Sequence, residues 1–349
     1  MAHEFDYMSA SELRLRIGRK DISPVELTRR SLERAEAVQA DLNAFFVLFP
    51  EKALAAAQAA EDAVMSGAAL GALHGLPMSV KDLIAVGDAP FAFGSKVMAD
   101  NIADADAPAV ERARAAGAVV IGKTTTSEFG CKPVGDSPLT GITRNPWNRD
   151  KTPGGSSAGA GASIAAGVTP FGLGTDGGGS IRIPASLTGL AGIKGSFARV
   201  PVSPTPATPT LAHVGPMARN MRDAALLFSA IAGYDARDPF GIAGDVPDVV
   251  AACEQSVEGM RIAWSPTLGY AKPDAEVVEI VEAAVRKFED AGAHVEQVDD
   301  VFAEDPADLW SAEFYAGGGI KLRAVLENQR DMLDPAVADI LEPALGQEM

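Results

Sequence analysis

Histidine and cysteine are scarce in this 349-residue chain, with four of one (His3, His74, His213, His294) and two of the other (Cys131, Cys253). Neither set falls at a metal-ligand spacing, so no zinc centre is expected, and the two distant cysteines are expected as reduced thiols. Basic residues are outnumbered, 30 Lys and Arg against 47 Asp and Glu, for a formal net charge of −17. Nucleic acids and anionic membranes bind basic surfaces, so neither is expected as a partner. No uncharged apolar run approaches the ~18–20 residues of a membrane helix. "ALAAAQAAEDAV" is interrupted by Glu61 and Asp62 and reads as an ordinary helix. The opening "MAHEFDYMSASELRLRIGRKD" has no apolar run behind its charges and does not read as a signal peptide, which leads to the expectation of a cytoplasmic protein.

What is present is an apolar fraction of 47%, sufficient for one large core or two smaller ones. Residues 1–65 read as a helical N-terminal layer. Ser23 is placed to cap a helix, Pro24 to occupy its first turn and Glu26 to close a capping box, with "VELTRRSLERAEAV" continuing at helical period. Residues 66–349 alternate short apolar runs with helical ones. "MSVKDLIAV", "AVVIGKT", "PFGLGTD", "MRIAWSP" and "AHVEQVD" read as strands. "APAVERARAAGA", "RNMRDAALLFSAIAGY" and "PDAEVVEIVEAAVRKFEDAG" read as helices. The pattern predicts an α/β architecture with a central sheet flanked by helices. "RVPVSPTPATPTLAHVGP" is too rich in proline for a helix or a central strand and reads as a surface loop.

The densest signal is "TPGGSSAGAGASIAAGVTPFGLGTDGGGSIRIPA", Thr152–Ala185, where two glycine-serine clusters bracket an apolar stretch that holds no histidine. Three chemistries fit a segment of this kind. A phosphate cradle would use glycine-loop N–H groups. However, no lysine lies between Lys151 and Lys194 for a Walker loop, and the one G-x-G-x-x-G match, Gly172–Gly177, carries the repelling Asp176. A nucleophile elbow would centre on Ser157 in Gly155–Gly159, with only His213 and His294 downstream as bases. The third joins both clusters in one site. There the backbone of "DGGGS" lines an oxyanion hole, Ser180 is the nucleophile and a serine of the first cluster relays its proton.

Without a suitable histidine the base must be another group, and Lys81 in "GLPMSVKDLIAV" is placed for it. Its ammonium interrupts an apolar strand pattern. It either snorkels or pairs with Asp82, or it sits desolvated as a neutral base. Bringing a lysine from about 10.4 to about 7 takes roughly 4–5 kcal/mol, within what burial supplies.

"GGSSAGAGASIAAGVTPFGLGTDGGGSIRIPASLTGLAGIKGS" resembles the signature of the amidase signature family of serine hydrolases. The serine pair, the T-D-x-G-G-S-I-R-x-P-A stretch and the following G-x-K occur in order, and 24 positions separate Ser156 from Ser180. "LHGLPMSVKDLI", "GAVVIGKTTTSEFG", "TRNPWNRDKTPGGSS" and "HVGPMARNMRDAALL" are similar to further family blocks, so that the likeness runs from about Ser9 to about Tyr234.

The resemblance implies a Lys81–Ser156–Ser180 triad with a cis peptide at Ser156 and an oxyanion hole from the N–H groups of Gly177, Gly178, Gly179 and Ser180. Ser157 would join the network or cap a helix, Asp176 and Arg182 would brace the loop, and Gly130 and Cys131 would border the substrate. His74 is expected as a packing residue. The implied activity is hydrolysis of a carboxylic amide, with a small-molecule amide as partner, no cofactor, no metal, and a homodimer as a common assembly. The family also has a branch of glutaminase-like components of tRNA-dependent amidotransferases. That branch carries glutamine where Ile183 stands, which favours a stand-alone amidase. The alternatives are such an amidotransferase component, a glycine-loop nucleotide binder and a non-catalytic binding protein retaining the fold. Gly177 and Gly195 depart from the family's usual residues, and members extend well past the length seen here, so a C-terminal part of the fold is expected to be missing.

Overall fold

The computed structural model describes residues 3–346. The first elements are α1 (Ala10–Gly18), α2 (Pro24–Leu42), β1 (Phe45–Leu48) and α3 (Pro50–Ser66). Ser23 caps α2 as the sequence predicts, its Oγ accepting from the N–H groups of Val25 and Glu26, and Pro24 opens the helix. β1 is the element the helical pattern hid. It is four residues long and joins the sheet edge through antiparallel pairing with a later strand, from Phe45↔Thr124 to Leu48↔Gly122.

The remaining strands of the core are β2 (Pro77–Lys81), β3 (Val119–Thr124), the hairpin pair β4 (Asp136–Ser137) and β5 (Gly141–Ile142), β6 (Phe171–Asp176), β7 (Ala191–Gly192) and β8 (His213–Ala218). Six of the strands form one mixed sheet in the order β1-β3-β2-β6-β8-β7. β2 runs parallel to both β3 and β6, while β8 is antiparallel to β6 and β7. Between them lie α4 (Pro108–Ala115), α5 (Ala158–Ala165), α6 (Arg182–Thr188), α7 (Met221–Ile231) and the short α8 (Val249–Ala252).

Strand residues alternate between two apolar layers, as a period of two requires. Met78, Val80, Val120, Phe171 and Leu173 meet Leu13, Ile17, Val110 and Leu227 from α1, α4 and α7. Val119 and Ile121 meet Leu32, Val38, Ala57 and Ala162 from α2, α3 and α5. With both faces covered, β2 and β3 are buried along their whole length, including the polar Ser79, Lys81 and Lys123 that interrupt their apolar residues.

Two expectations are corrected. "MSVKDLIAV" leaves the sheet after Lys81, where a turn closes through the Ile84 N–H to the Lys81 carbonyl. The proline-rich segment is a loop only as far as Ala212, because His213–Ala218 is an inner strand that contains Pro216. Its carbonyl accepts from the Ile193 N–H. The donor it lacks would have met the Ile193 carbonyl on the same side, so the proline costs the reciprocal bond of this one pair, just where the two-residue β7 ends.

The chain divides into two compact units, Glu254–Glu313 and the rest. Within Glu254–Glu313, β9 (Arg261–Trp264) and β10 (His294–Gln297) pair in parallel, and α9 (Ala275–Asp290) connects them. α10 (Ala307–Lys321), α11 (Arg323–Asn328) and α12 (Pro335–Leu341) follow.

Candidate active site

Parallel strands put their carboxyl ends on one edge of a sheet, the usual location of α/β sites. Lys81 is the last residue of β2, and Thr175 lies one residue before the end of β6. The turn after β6 delivers Ser180, and the start of α5 delivers Ser156 and Ser157. α5 reads AGAGASIA because it has no room for more, since a Cβ on Gly159 would collide with the Ala44 carbonyl oxygen. Small side chains let this helix sink between the loops, so that its first turn reaches the strand ends.

Lys81 is fully buried. Its Nζ lies 2.7 Å from Ser156 Oγ and 2.8 Å from Thr175 Oγ1. Burial drives its pKa well below that of an ordinary lysine, and the charge of Asp176 opposes this only in part. The pairing with Asp82 left open by the sequence is not formed. Asp82 instead holds Lys123 at 2.8 Å, both groups buried. The Gly155–Ser156 peptide is cis. Ser157 occupies the N-cap position of α5, yet its hydroxyl does not cap. It accepts from the Thr175 N–H (3.3 Å) and donates to the Thr175 carbonyl (3.2 Å). Gly174 makes this possible, because a Cβ there would lie 2.8 Å from Ser157 Oγ.

Asp176 organises the turn. Its buried carboxylate accepts from the N–H groups of Gly179 (2.7 Å), Ile181 (3.2 Å) and Arg182 (3.4 Å). The Arg182 guanidinium adds a fork at 2.9 and 2.8 Å. Burial raises the Asp176 pKa, but Arg182 and these N–H groups outweigh it and hold the carboxyl below its usual range. The Gly179 N–H, assigned to the oxyanion hole from the sequence, is therefore committed to Asp176. Gly179 adopts φ +127, and the turn leaves Gly177 and Ser180 lining the cavity. The Ser180 carbonyl accepts from the Ser157 N–H at 3.3 Å, which ties the two clusters together. Among the described residues none bonds to the Ser180 hydroxyl.

Ser156, Thr175 and Ser180 open into a cavity of about 380 Å³ whose walls include Leu83, Phe91, Phe93, Phe129, Val202 and Phe314. Gly130 and Cys131 also line it. Gly130 sits at φ +73, and a Cβ there would lie 2.9 Å from Leu83 Cδ1 and 3.3 Å from Ser156 Oγ. The Cys131 thiol is pushed up to about 12 by burial and by the carboxylates of Glu128 and Asp334, so it stays protonated. Buried Glu128 accepts from Ser95 Oγ and the Asp334 N–H, both at 2.7 Å, which fixes this loop against the start of α12.

His74 is a packing residue bonded to the Ala60 carbonyl (2.9 Å). His213 lines the cavity, with Nδ1 at the Leu211 carbonyl (2.7 Å). It does not bond to Ser157, so the elbow arrangement is not assembled. His294 lies on β10 in the other unit. Thr175 and Lys123 are site residues that the sequence did not single out, and His213 drew notice only as a candidate base. Thr175 stands inside the recognised T-D-x-G-G-S run, but nothing in that run reveals a hydroxyl turned towards Lys81. Among the described residues no cluster of His, Cys, Asp or Glu suits a metal.

Residues 26–342 match the family described as Amidase. An acylamidase of Rhodococcus erythropolis is 35% identical, covering 97% of this chain and 71% of that protein. The A component of the glutamyl-tRNA(Gln) amidotransferase of Nitrosococcus oceani is 36% identical, covering 84% of this chain and 60% of its own length. A bacterial aryl acylamidase of the amidase signature family superposes with a TM-score of 0.93 at 29% identity, covering 99% of this chain and 74% of that one. The peptide amidase of Stenotrophomonas maltophilia gives 0.87 at 28% identity, covering 99% and 76%. Fold and relatives define an amide-bond hydrolase. The chain belongs to the amidase signature family.

Proposed function

We propose that the chain hydrolyses a carboxylic amide through an acyl-enzyme on Ser180, with Ser156 as proton relay and Lys81 as base. The observation that carries this is the buried Lys81 amine, 2.7 Å from Ser156 Oγ, whose side-chain hydrogen bonds go to two hydroxyls. Desolvation favours its neutral form, which can accept a proton.

Ser180 Oγ attacks the amide carbon as its proton passes to Ser156 Oγ and the Ser156 proton passes to Lys81 Nζ. The negative oxygen of the tetrahedral intermediate is held at the turn after β6, with the Gly178 and Ser180 N–H groups as donors. Collapse breaks the C–N bond, and the proton returns from Lys81 through Ser156 to the leaving nitrogen, which departs as ammonia or amine. Water then attacks the ester by the same relay, giving the carboxylic acid and free Ser180. No step calls for a metal or cofactor. Cys131, held protonated, takes no part as a nucleophile.

A glutaminase-like component of a tRNA-dependent amidotransferase is the second reading, raised by relatives at 36–39% identity. Glutamine carries an ammonium and a carboxylate, each costly to bury unpaired. The one Asp of the lining, Asp176, is already held by Arg182, so the cavity offers glutamine's ammonium no free carboxylate and favours an acyl group without an ammonium. We propose a cytoplasmic location, for which the reduced state of the two cysteines is the support. Both cysteines are free, and among the described residues no helix is long and apolar enough to cross a membrane.

The test is labelling with a fluorophosphonate probe followed by peptide mapping, together with ammonia release from simple amides by the chain alone. A label on Ser180 that disappears in Lys81→Met is expected. A label on Ser157, or one indifferent to Lys81, overturns the mechanism.

A further inference from the structure

A second buried lysine sits one strand away from the first. Lys123 on β3 pairs in register with Val80 of β2, next to Lys81, and is equally inaccessible to solvent. The two amines differ in their partners. Lys81 faces two hydroxyls. Lys123 faces the Asp82 carboxylate at 2.8 Å, the Pro90 carbonyl at 3.0 Å and the Phe91 ring at 4.7 Å from its centroid. A lysine so engaged holds its protons in fixed directions and has no hydroxyl to exchange them with.

A buried ion pair contributes little to stability by itself, since desolvation offsets the attraction. This pair has a structural output nonetheless. Beyond each other, the side chains of Asp82 and Lys123 bond to a single segment, 90–94. Asp82 accepts from the N–H groups of Ala92 (3.3 Å) and Gly94 (3.4 Å), while Lys123 takes the Pro90 carbonyl and the face of Phe91. The segment needs holding. Phe93 stands at φ +56, left-handed backbone that a bulky residue rarely adopts, followed by Gly94 at φ +67. A Cβ on Gly94 would come within 2.8 Å of the Thr126 carbonyl oxygen, so only glycine allows this close approach to the chain just after β3.

What the segment presents is an aromatic wall. Phe91 and Phe93 pack at 4.2 Å between centroids, and Phe93 stacks on Phe129 at 6.0 Å. The Phe93 carbonyl also accepts from the Phe129 N–H at 2.8 Å. All three rings line the cavity that Ser156 and Ser180 open into.

We propose that Lys123 and Asp82 are positioning residues for substrate selection: they fix the Phe91–Phe93–Phe129 wall, against which a flat, uncharged, apolar acyl group is recognised, and they carry no proton in the reaction. The proposal rests on the amidase reading for the word acyl, but the wall and its support are independent of turnover.

The test therefore has an equilibrium arm and a kinetic arm. In the equilibrium arm, phenylacetamide is titrated calorimetrically into Ser180→Ala and into Ser180→Ala/Lys123→Met. Binding at least tenfold weaker in the double variant is expected. Equal affinity in the two, or no binding to Ser180→Ala, overturns the proposal whether or not the native chain hydrolyses amides. In the kinetic arm, Lys123→Met raises KM for phenylacetamide at least tenfold. The midpoint of the pH profile for Ser180 labelling by a small fluorophosphonate stays in place. A displaced midpoint would make Lys123 part of the proton relay and overturn the positioning role. A native enzyme that labels on Ser180 while Lys123→Met leaves KM unchanged sinks this proposal and spares the mechanism. A native chain with no label but with the tenfold binding difference does the reverse. Should Lys123→Met fail to fold, Phe93→Asn removes the central ring with a residue that tolerates left-handed backbone, and the same tenfold loss of phenylacetamide binding is expected.

Discussion

Lys81 is held in a place that disfavours its charge, and this sets two dependences on pH. The first concerns rate. In the proposed mechanism only the neutral amine accepts a proton from Ser156, so activity is expected to rise with pH through the lowered Lys81 pKa and to reach its plateau below the ordinary lysine range of about 10.4. A rate profile for amide hydrolysis that keeps climbing to that range would contradict the assignment. The second concerns stability. In the folded chain Lys81 gives up its proton at lower pH than in the unfolded chain. Between those two values the unfolded state binds more protons, so this group's contribution to stability grows as pH rises. Lys81→Met has no such term. Its stability relative to the parent should therefore decline as pH rises towards the ordinary lysine range of about 10.4 in denaturant melts, while its Ser180 labelling is at least about 10³-fold slower throughout. Lys81→Arg should fail to label as well, because a guanidinium stays charged.

Among the elements, the connection from β6 to α6 depends on two polar side chains. Ser157 clips α5 to β6 through both backbone groups of Thr175. Ser157→Ala leaves those buried groups without their partner and should cost about 1–3 kcal/mol in chemical denaturation. Asp176 gathers three N–H groups and the Arg182 fork. Asp176→Asn weakens that fork and the fit of the turn, and we expect kcat to fall on the order of 10²-fold, with KM changing much less, because the proposed oxyanion donors belong to that turn. Because the folded-state pKa of Asp176 is lowered, its stabilisation is present above about pH 4 and is lost as pH falls further. Asp176→Asn should accordingly flatten the acid limb of a stability-against-pH curve.

Much of this was legible in advance. The glycine-serine run announced the turn and the helix start, since only small residues suit the close approaches seen at Gly159 and Gly174. Lys81 stood out because a charge broke an apolar strand. Lys123 broke one equally in "AVVIGKT", yet its role stayed hidden, because a pattern of period two says which face a side chain takes but not what stands opposite. The same limit left open a pairing of Asp82 with its chain neighbour. The commitment of the Gly179 N–H was hidden because it depends on the direction of a backbone bond, and β1 was hidden because four residues between long helices give too short a pattern to register.

For the molecule as a whole, the surplus of acid, formally −17, would set up a strong field over its surface. The centre is insulated from it. Each carboxylate near Lys81 has its own cation, Asp82 with Lys123 and Asp176 with Arg182. The proposed base, itself fully buried, thus sits between two neutralised pairs. Screening in bulk solution acts over about 8 Å at physiological ionic strength and reaches buried pairs far less than exposed ones. Turnover of an uncharged amide should then vary less than about twofold between dilute buffer and ~0.5 M sodium chloride. A steep salt dependence would mean that surface charge reaches the lysine. A nearly flat one would describe an acidic protein whose chemistry is indifferent to the brine around it.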